Sequence, residues 1–295
     1  MIVKELKITN SNGDSIEFGR HFQLTNGLDL SNLSANVSYS ESTRDGANYQ
    51  LTVLDIREFD LSFFIDYNHR ENWWMEERRR ELFRVFNPKH NPMRLDLTTK
   101  GQETYYLNAN LVAAPSLPQG FENDNGAWQK GLLQFSCDDP FIYSSTSSVV
   151  DIAVWNGAFE FPLEIPSEGI EMGYRSESLI ENVFNNGDTE TGMIIRFKAL
   201  ASVKNPSLVN INTYESLKLN FDMVGGDVID VSTYIGKKTV TLTRNNVQSN
   251  IFYAVDLTST FIQLNPGDNL FRYDAEEGID NLEVSMSFTN QFVGV

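Results

Sequence analysis

Along most of the chain hydrophobic and polar residues alternate with a period of two, the mark of half-buried strands. Ile2, Lys4, Leu6 and Ile8 share one side of a strand that the cluster Asn10 to Asp14 turns back into Ser15 to Phe18, predicting a hairpin at the start. Short strands follow over 22–30 and 33–39, broken at Asn26-Gly27 and Ser31-Asn32. After the polar turn 44–48, Tyr49, Leu51 and Val53 alternate, and then Phe59, Leu61, Phe63 and Ile65. Two amphipathic strands therefore lead into the next element. Further strands are expected at Met93 to Leu97, Thr104 to Val112 and Leu132 to Ser136.

One stretch breaks this rhythm. NWWMEERRRELFRVFNP, Asn72 to Pro88, has helical periodicity and predicts a helix over 72–86. At about 100° per residue, Trp74, Met75, Leu82, Phe83, Val85 and Phe86 cover one half of the cylinder, and Arg78 and Arg79 fall in that same half. Glu76, Glu77, Arg80, Glu81 and Arg84 take the other side, with Glu76 and Arg80 spaced as an i,i+4 pair. Asn72, or Asn68 with Glu71, is placed to cap the start, and Pro88 ends the helix. Arginines on an apolar stripe either reach out to water or meet carboxylates from another surface. The second reading makes Trp73, Trp74, Arg78 and Arg79 candidate subunit-interface residues, since Trp and Arg are enriched as anchors.

From Val149 onward short alternating runs are punctuated by Asn156-Gly157, Asn186-Gly187, Asn205-Pro206, Gly225-Gly226, Gly236-Lys237, Pro266-Gly267 and Glu277-Gly278. Strands over 193–197, 216–221, 239–243, 252–255 and 282–288 have the spacing of an antiparallel sandwich, with no helix required. The expected fold is mainly β. Residues 1–145 form an antiparallel domain with one α-helix, and residues 146–295 form a β-sandwich, the cut falling after Asp138-Asp139-Pro140-Phe141.

Charge narrows the partners. A net charge of −17 and a pI near 4.5 repel phosphate backbones and anionic lipid heads, so specific nucleic-acid or membrane binding is not expected. The same sign suits a surface past which DNA slides. Cys137 is the sole cysteine, which rules out an intrachain disulfide and fits assembly in a reducing cytoplasm. No apolar run resembles a signal peptide or approaches a membrane span.

The chain carries little that reads as chemistry. His21, His69 and His90 lie in separate segments, and there is no nucleophile elbow or glycine-rich phosphate loop. No catalytic residue, metal ligand or cofactor site is therefore assigned, and the protein is not expected to be an enzyme. Asp138-Asp139 and Glu276-Glu277 read as turn residues, and Asn185 to Glu190 lacks the spaced carboxylates of a calcium loop. Trp128 and Trp155 could stack on sugars, although core packing is the commoner fate of tryptophan.

Several phrases carry a likeness to a known family. GAFEFPLEI at 157–165, ENVFNNGDTETGMIIRFKALASVKNPSLVN at 181–210 and LNPGDNLFRYDAEEGIDNLEVSMSFTNQFVGV at 264–295 resemble the distal tail protein of long-tailed phages and prophages of Gram-positive bacteria. RRELFRVFNPK, Tyr105-Tyr106-Leu107 and Phe135 through Asp139-Pro140-Phe141 look like that family's ring domain. The resemblance implies a hexameric ring at the distal end of the phage tail in the virion. N-terminal domains would surround a central DNA channel, and galectin-like, carbohydrate-module-like sandwiches would lie outside as attachment points. The implied partners are further copies of the chain, the tail tube protein, the tail-associated lysin or tail fibre, and receptor-binding proteins used in host attachment. The alternatives from other classes are a carbohydrate-binding adhesion module and a glycoside hydrolase on a sandwich.

Overall fold

The computed structural model describes residues 3–19, 21–66, 73–124, 128–153, 155–157, 173–175 and 180–295; for 73–74, 153, 155–157 and 173–175 only the backbone is described. The chain forms two compact units, Met1–Ser145 with Phe292–Val295, and Thr146–Gln291. Phe292–Val295, assigned with the second half on sequence, thus lie in the first unit.

In unit 1 the alternating runs become β1 (Val3–Thr9), β2 (Ser15–Phe18), β3 (Phe22–Leu24), β4 (Ala35–Glu41), β5 (Ala47–Leu54) and β6 (Arg57–Asp66). After helix α1 (Trp73–Val85) come β7 (Met93–Thr99), β8 (Thr104–Leu111), β9 (Trp128–Cys137) and β10 (Ile142–Ser144). Neighbours run β8-β7-β1-β2-β3-β6-β9, and β9 pairs back onto β8 at Asn110 and Leu111, closing a barrel of seven strands. Closure leaves those strands no open edge. β10 and the short strand Gln291–Phe292 extend the sheet beyond β8.

The period of two explains the interior. Along β6, Phe59, Leu61, Phe63 and Ile65 are buried while their neighbours are not, and Phe59 and Leu61 pair with Phe135 and Leu133 of β9. Leu6, Ile8, Ile16, Phe18, Leu95 and Leu107 complete the same core. Burial of each such side chain contributes about 1.5–3 kcal/mol. The Phe63 ring lies over Gly131, its partner in β9, where an added Cβ would sit 2.3 Å from the ring. The strand expected over 22–30 stops at Leu24; Leu28 and Leu30 are buried from a loop, beyond the break at Asn26-Gly27.

Helix α1 is docked at its C-terminal end. Leu82, Val85 and Phe86 are buried in the barrel core, and Phe86 packs at 6.3 Å from Phe18. Asn10, itself buried in the β1–β2 turn, donates to the Val85 carbonyl at 3.0 Å and accepts from Asn12 N and Asp14 N. One amide thereby shapes the turn and satisfies a carbonyl left over at the helix end. Past it, Asn87 caps the short 3₁₀ turn Pro88–His90 through its side-chain oxygen. The capping residues expected at Asn68, Glu71 and Asn72 lie outside the described residues.

Unit 2 is a sandwich around one core. A six-stranded sheet runs in the order Ser148–Ala153, Leu282–Phe288, Met193–Ala199, Val228–Ser232, Thr239–Arg244, Val247–Asn250. A four-stranded sheet runs Ile180–Asn185, Gly267–Asp274, Ser207–Asn210, Ser216–Lys218. Met193, Ile195, Phe197, Val284 and Met286 from the first meet Val183, Leu208, Phe271 and Tyr273 from the second in the core. Two strands expected here differ. Residues 252–254 form a 3₁₀ turn, with Phe252 N donating to the Asn250 side chain, and the strand at 216 ends at Lys218.

The phrases that resemble a family prove to be stitches of this sandwich. Buried Asn185 donates to Thr189 O and Leu264 O and accepts from Gly187 N. Gly187 is required because a Cβ there would stand 2.6 Å from Gln291 O. In the Pro266-Gly267-Asp268-Asn269 turn, buried Asn269 binds Asn265 O and Gly267 O. The loop Asn185 to Glu190, which lacks the spaced carboxylates of a calcium loop, is thus a tight turn.

Asp227 is buried, accepts from Arg244 Nε and Nη2 at 2.7 and 2.5 Å, and accepts from Val224 N. The Arg244 hydrogen bond, foremost, lowers its pKa from 3.8. A lowered folded value means stability that is present above 3.8 and lost as pH falls through the folded value. Thermal melts of unit 2 below pH 4 should therefore show a falling midpoint, and Asp227→Asn should flatten that dependence while lowering the midpoint at pH 7.

Candidate assembly surface

Helix α1 carries the four interface residues expected from sequence. Trp73 and Trp74 lie on its first turn, and their side chains are outside the described residues. Arg78 is half-buried and its Nη1 meets Glu81 Oε2 at 2.7 Å. Glu81 is a carboxylate partner from its own helix, three residues on, where side chains are neighbours. Arg79 is half-buried as well. Phe83, expected on the core face, is 44% exposed. Leu82, Val85 and Phe86 occupy an arc of about 100° at helical spacing, and Phe83 falls outside it. The helix thus presents Phe83, Arg84, Arg80 and Glu76 outward.

The larger feature is the hairpin β4–β5. Its strands pair from Ala35↔Leu54 to Glu41↔Ala47 and form a two-stranded sheet of their own, apart from the barrel. Its root is closed by Asp55 N donating to Ser34 O at 2.9 Å. At about 3.3 Å per residue the arm is some 25 Å long. Tyr39 (61%), Tyr49 (63%), Leu51 (56%) and Val53 (54%) are all exposed, and the two tyrosine rings meet edge to face at 6.4 Å. The sequence reading makes Tyr49, Leu51 and Val53 the alternating apolar positions of an amphipathic strand. The strand is there, but among the described residues no layer covers it.

Physical chemistry makes such an arm unusual. A lone two-stranded hairpin is marginal in water, and proteins guard open strand edges with charges, proline or bulges; of these the arm has one register shift, between Ser38 and Tyr39. Residues 35–40 and 47–54 contain no charged side chain, and charge returns only near the tip at Glu41, Arg44 and Asp45. A long, apolar, uncharged edge left open marks an interaction surface. In sequence it is one more amphipathic strand.

Reactive groups are quiet by comparison. Cys137 is fully buried in β9, and burial pushes its thiol up to about 12, so it is not a thiolate at neutral pH. Among the described residues no three His, Cys, Asp or Glu side chains gather to hold a metal ion, and no helix is long and apolar enough to cross a membrane. His69 lies outside the described residues, as does the Trp155 side chain; Trp128 is half-buried beneath Lys130.

Two family models match this architecture, the phage tail protein RIFT-related domain over residues 11–163 and the siphovirus-type tail component, C-terminal domain, over residues 186–292. The chain belongs to the siphophage distal tail protein family. Among solved structures of similar fold is the Dit protein of phage SPP1, described as a paradigm of the hub adsorption apparatus in phages infecting Gram-positive bacteria. It matches with a TM-score of 0.66 and 13% identity over 97% of this chain and 99% of that one. A chain of the phage P2 baseplate in its activated conformation with Ca matches at TM-score 0.51 and 11% identity over all of both chains, and its Sr form at 0.50. No curated protein sequence matches the chain. The distal tail protein is therefore a mainly β structural component of a phage tail.

Proposed function

We propose that six copies of the protein close into a ring at the distal end of the tail and act as the hub of the baseplate. Unit 1 forms the ring and the wall of a central channel for DNA. Unit 2, a galectin-like sandwich, stands outside as an attachment point. The ring joins the tail tube protein to the tail-associated lysin or tail fibre, and holds receptor-binding proteins. The observation that carries this reading is the uncovered β4–β5 arm, whose apolar surface is satisfied by a neighbouring copy. A contact between two different surfaces, repeated around an axis, closes a ring without leaving any arm bare.

Charge bears on the channel less than the total suggests. Residues 1–145 carry 14 basic and 20 acidic side chains, a net of −6, and residues 146–295 carry 9 and 20, a net of −11. Most of the negative charge thus belongs to unit 2, where it favours solubility. The virion location is tested by gold-labelled antibody on intact phage: label confined to the tail tip is expected, and label absent from particles would contradict the proposal.

A further inference from the structure

Arg57, the first residue of β6, is 1% exposed, among the most deeply buried large side chains of the protein. Its Nε donates to Pro140 O at 2.8 Å, its Nη2 to Val293 O at 2.6 Å, and its Nη1 to Leu30 O. All three acceptors are backbone carbonyls, and they come from three distant segments. Leu30 lies in the loop leading to the arm, Pro140 in the loop between β9 and β10, and Val293 in the segment that follows unit 2. Burial without a carboxylate among these partners lowers the pKa of the guanidinium, desolvation being the foremost cause. A buried cation with its donors unmet is strongly unfavourable, so each carbonyl matters. The segment has its own anchors: Phe292 meets Tyr105 edge to face at 5.5 Å, and Phe292 and Val295 pack on the barrel core.

We infer that Arg57 is a positioning residue that couples the seating of Phe292–Val295 to the root of the β4–β5 arm, so that unit 1 becomes competent to assemble only with that segment in place. The inference rests on the reading of the arm as the assembly surface. Leu30 and Arg57 flank the arm on its two sides, and one guanidinium ties both to a segment separated from the rest of unit 1 by the whole of Thr146–Gln291. Unit 1 therefore cannot satisfy Arg57 until the chain has been made through Val293. Without the segment, Nη2 loses its acceptor, water must enter, and the hold on Leu30 weakens.

Hydrogen exchange of the full chain, kept monomeric by Leu51→Asp with Val53→Asp, tests the coupling. The readouts are the Asp55 amide, bonded to Ser34 O at the arm root, and the Thr25 amide, bonded to Ser62 O. Deleting residues 292–295 should reduce their protection about tenfold or more, the usual worth of a hydrogen bond to a charged group. Arg57→Met should do the same, and the two together should lose no more than either alone. Phe292→Ala, which loosens the segment but keeps the Val293 carbonyl, should give a smaller loss that vanishes in the Arg57→Met background; it decides the matter if the deletion unfolds unit 1. Losses that multiply, or protection unchanged on deletion, would overturn the coupling. With the arm intact, the deletion should also weaken self-association. A wild-type protein that stays monomeric even when the tail tube protein is added would instead contradict the ring, whatever the Asp55 amide shows.

Discussion

Leu51→Asp combined with Val53→Asp is expected to abolish self-association while leaving the fold of the protomer intact. Both side chains are more than half exposed in the single chain, so their replacement costs the protomer little, within about 0.5 kcal/mol for a surface site. In a ring each would instead bring a charge into an apolar contact. Truncation of a central interface residue costs about 2–4 kcal/mol, and a desolvated unpaired charge costs more. Two such charges at every contact weaken each one by about a thousandfold or more. Tyr39→Ser with Tyr49→Ser should act in the same direction with a smaller effect. Sedimentation of the variant beside its circular dichroism separates the outcomes: a folded monomer is expected, and a variant that still assembles would remove the arm from the interface.

Phe63→Ala is the second large effect. The ring is fully buried, lies edge-on to Phe18 at 5.8 Å, contacts Phe22 at 6.4 Å and covers Gly131. Emptying that space should cost unit 1 about 3–5 kcal/mol, the transfer of the ring plus the cavity it leaves. Because Phe18 also packs on Phe86, the end of α1 should loosen too. Unit 2 has a separate core, containing none of these residues, so its transition should stay in place. Calorimetry should resolve a lowered transition for unit 1 beside an unchanged one for unit 2; a common shift of both would mean that the two cores do not melt independently.

The reach of the sequence follows from what each pattern encodes. The strands of β6, β7 and β9 were legible because one face is buried and a period of two has no other simple cause. Tyr49, Leu51 and Val53 carry the same period, and it identified the strand correctly. Alternation says that a face must be covered, not whether the cover lies in the same chain, so it does not tell the arm from a barrel strand. Phe83 was misplaced for a related reason: the buried arc of α1 is narrower than the half cylinder its apolar residues span. Asn185, Gly187 and Asn269 were recognisable because a particular backbone needs those side chains, or needs none. They record the fold of the family and not a chemistry. Arg57 left no trace in the pattern, since a charge at the start of a strand looks ordinary until three distant carbonyls converge on it.

The mass of the purified full-length protein in solution, by light scattering with negative-stain images of the same peak, tests the hub most directly. Six copies of the 33.5 kDa chain give a particle of about 200 kDa. The expected result is that mass, with rings open at the centre. A particle of 33.5 kDa at every concentration, with no ring when the tail tube protein is added, would contradict it.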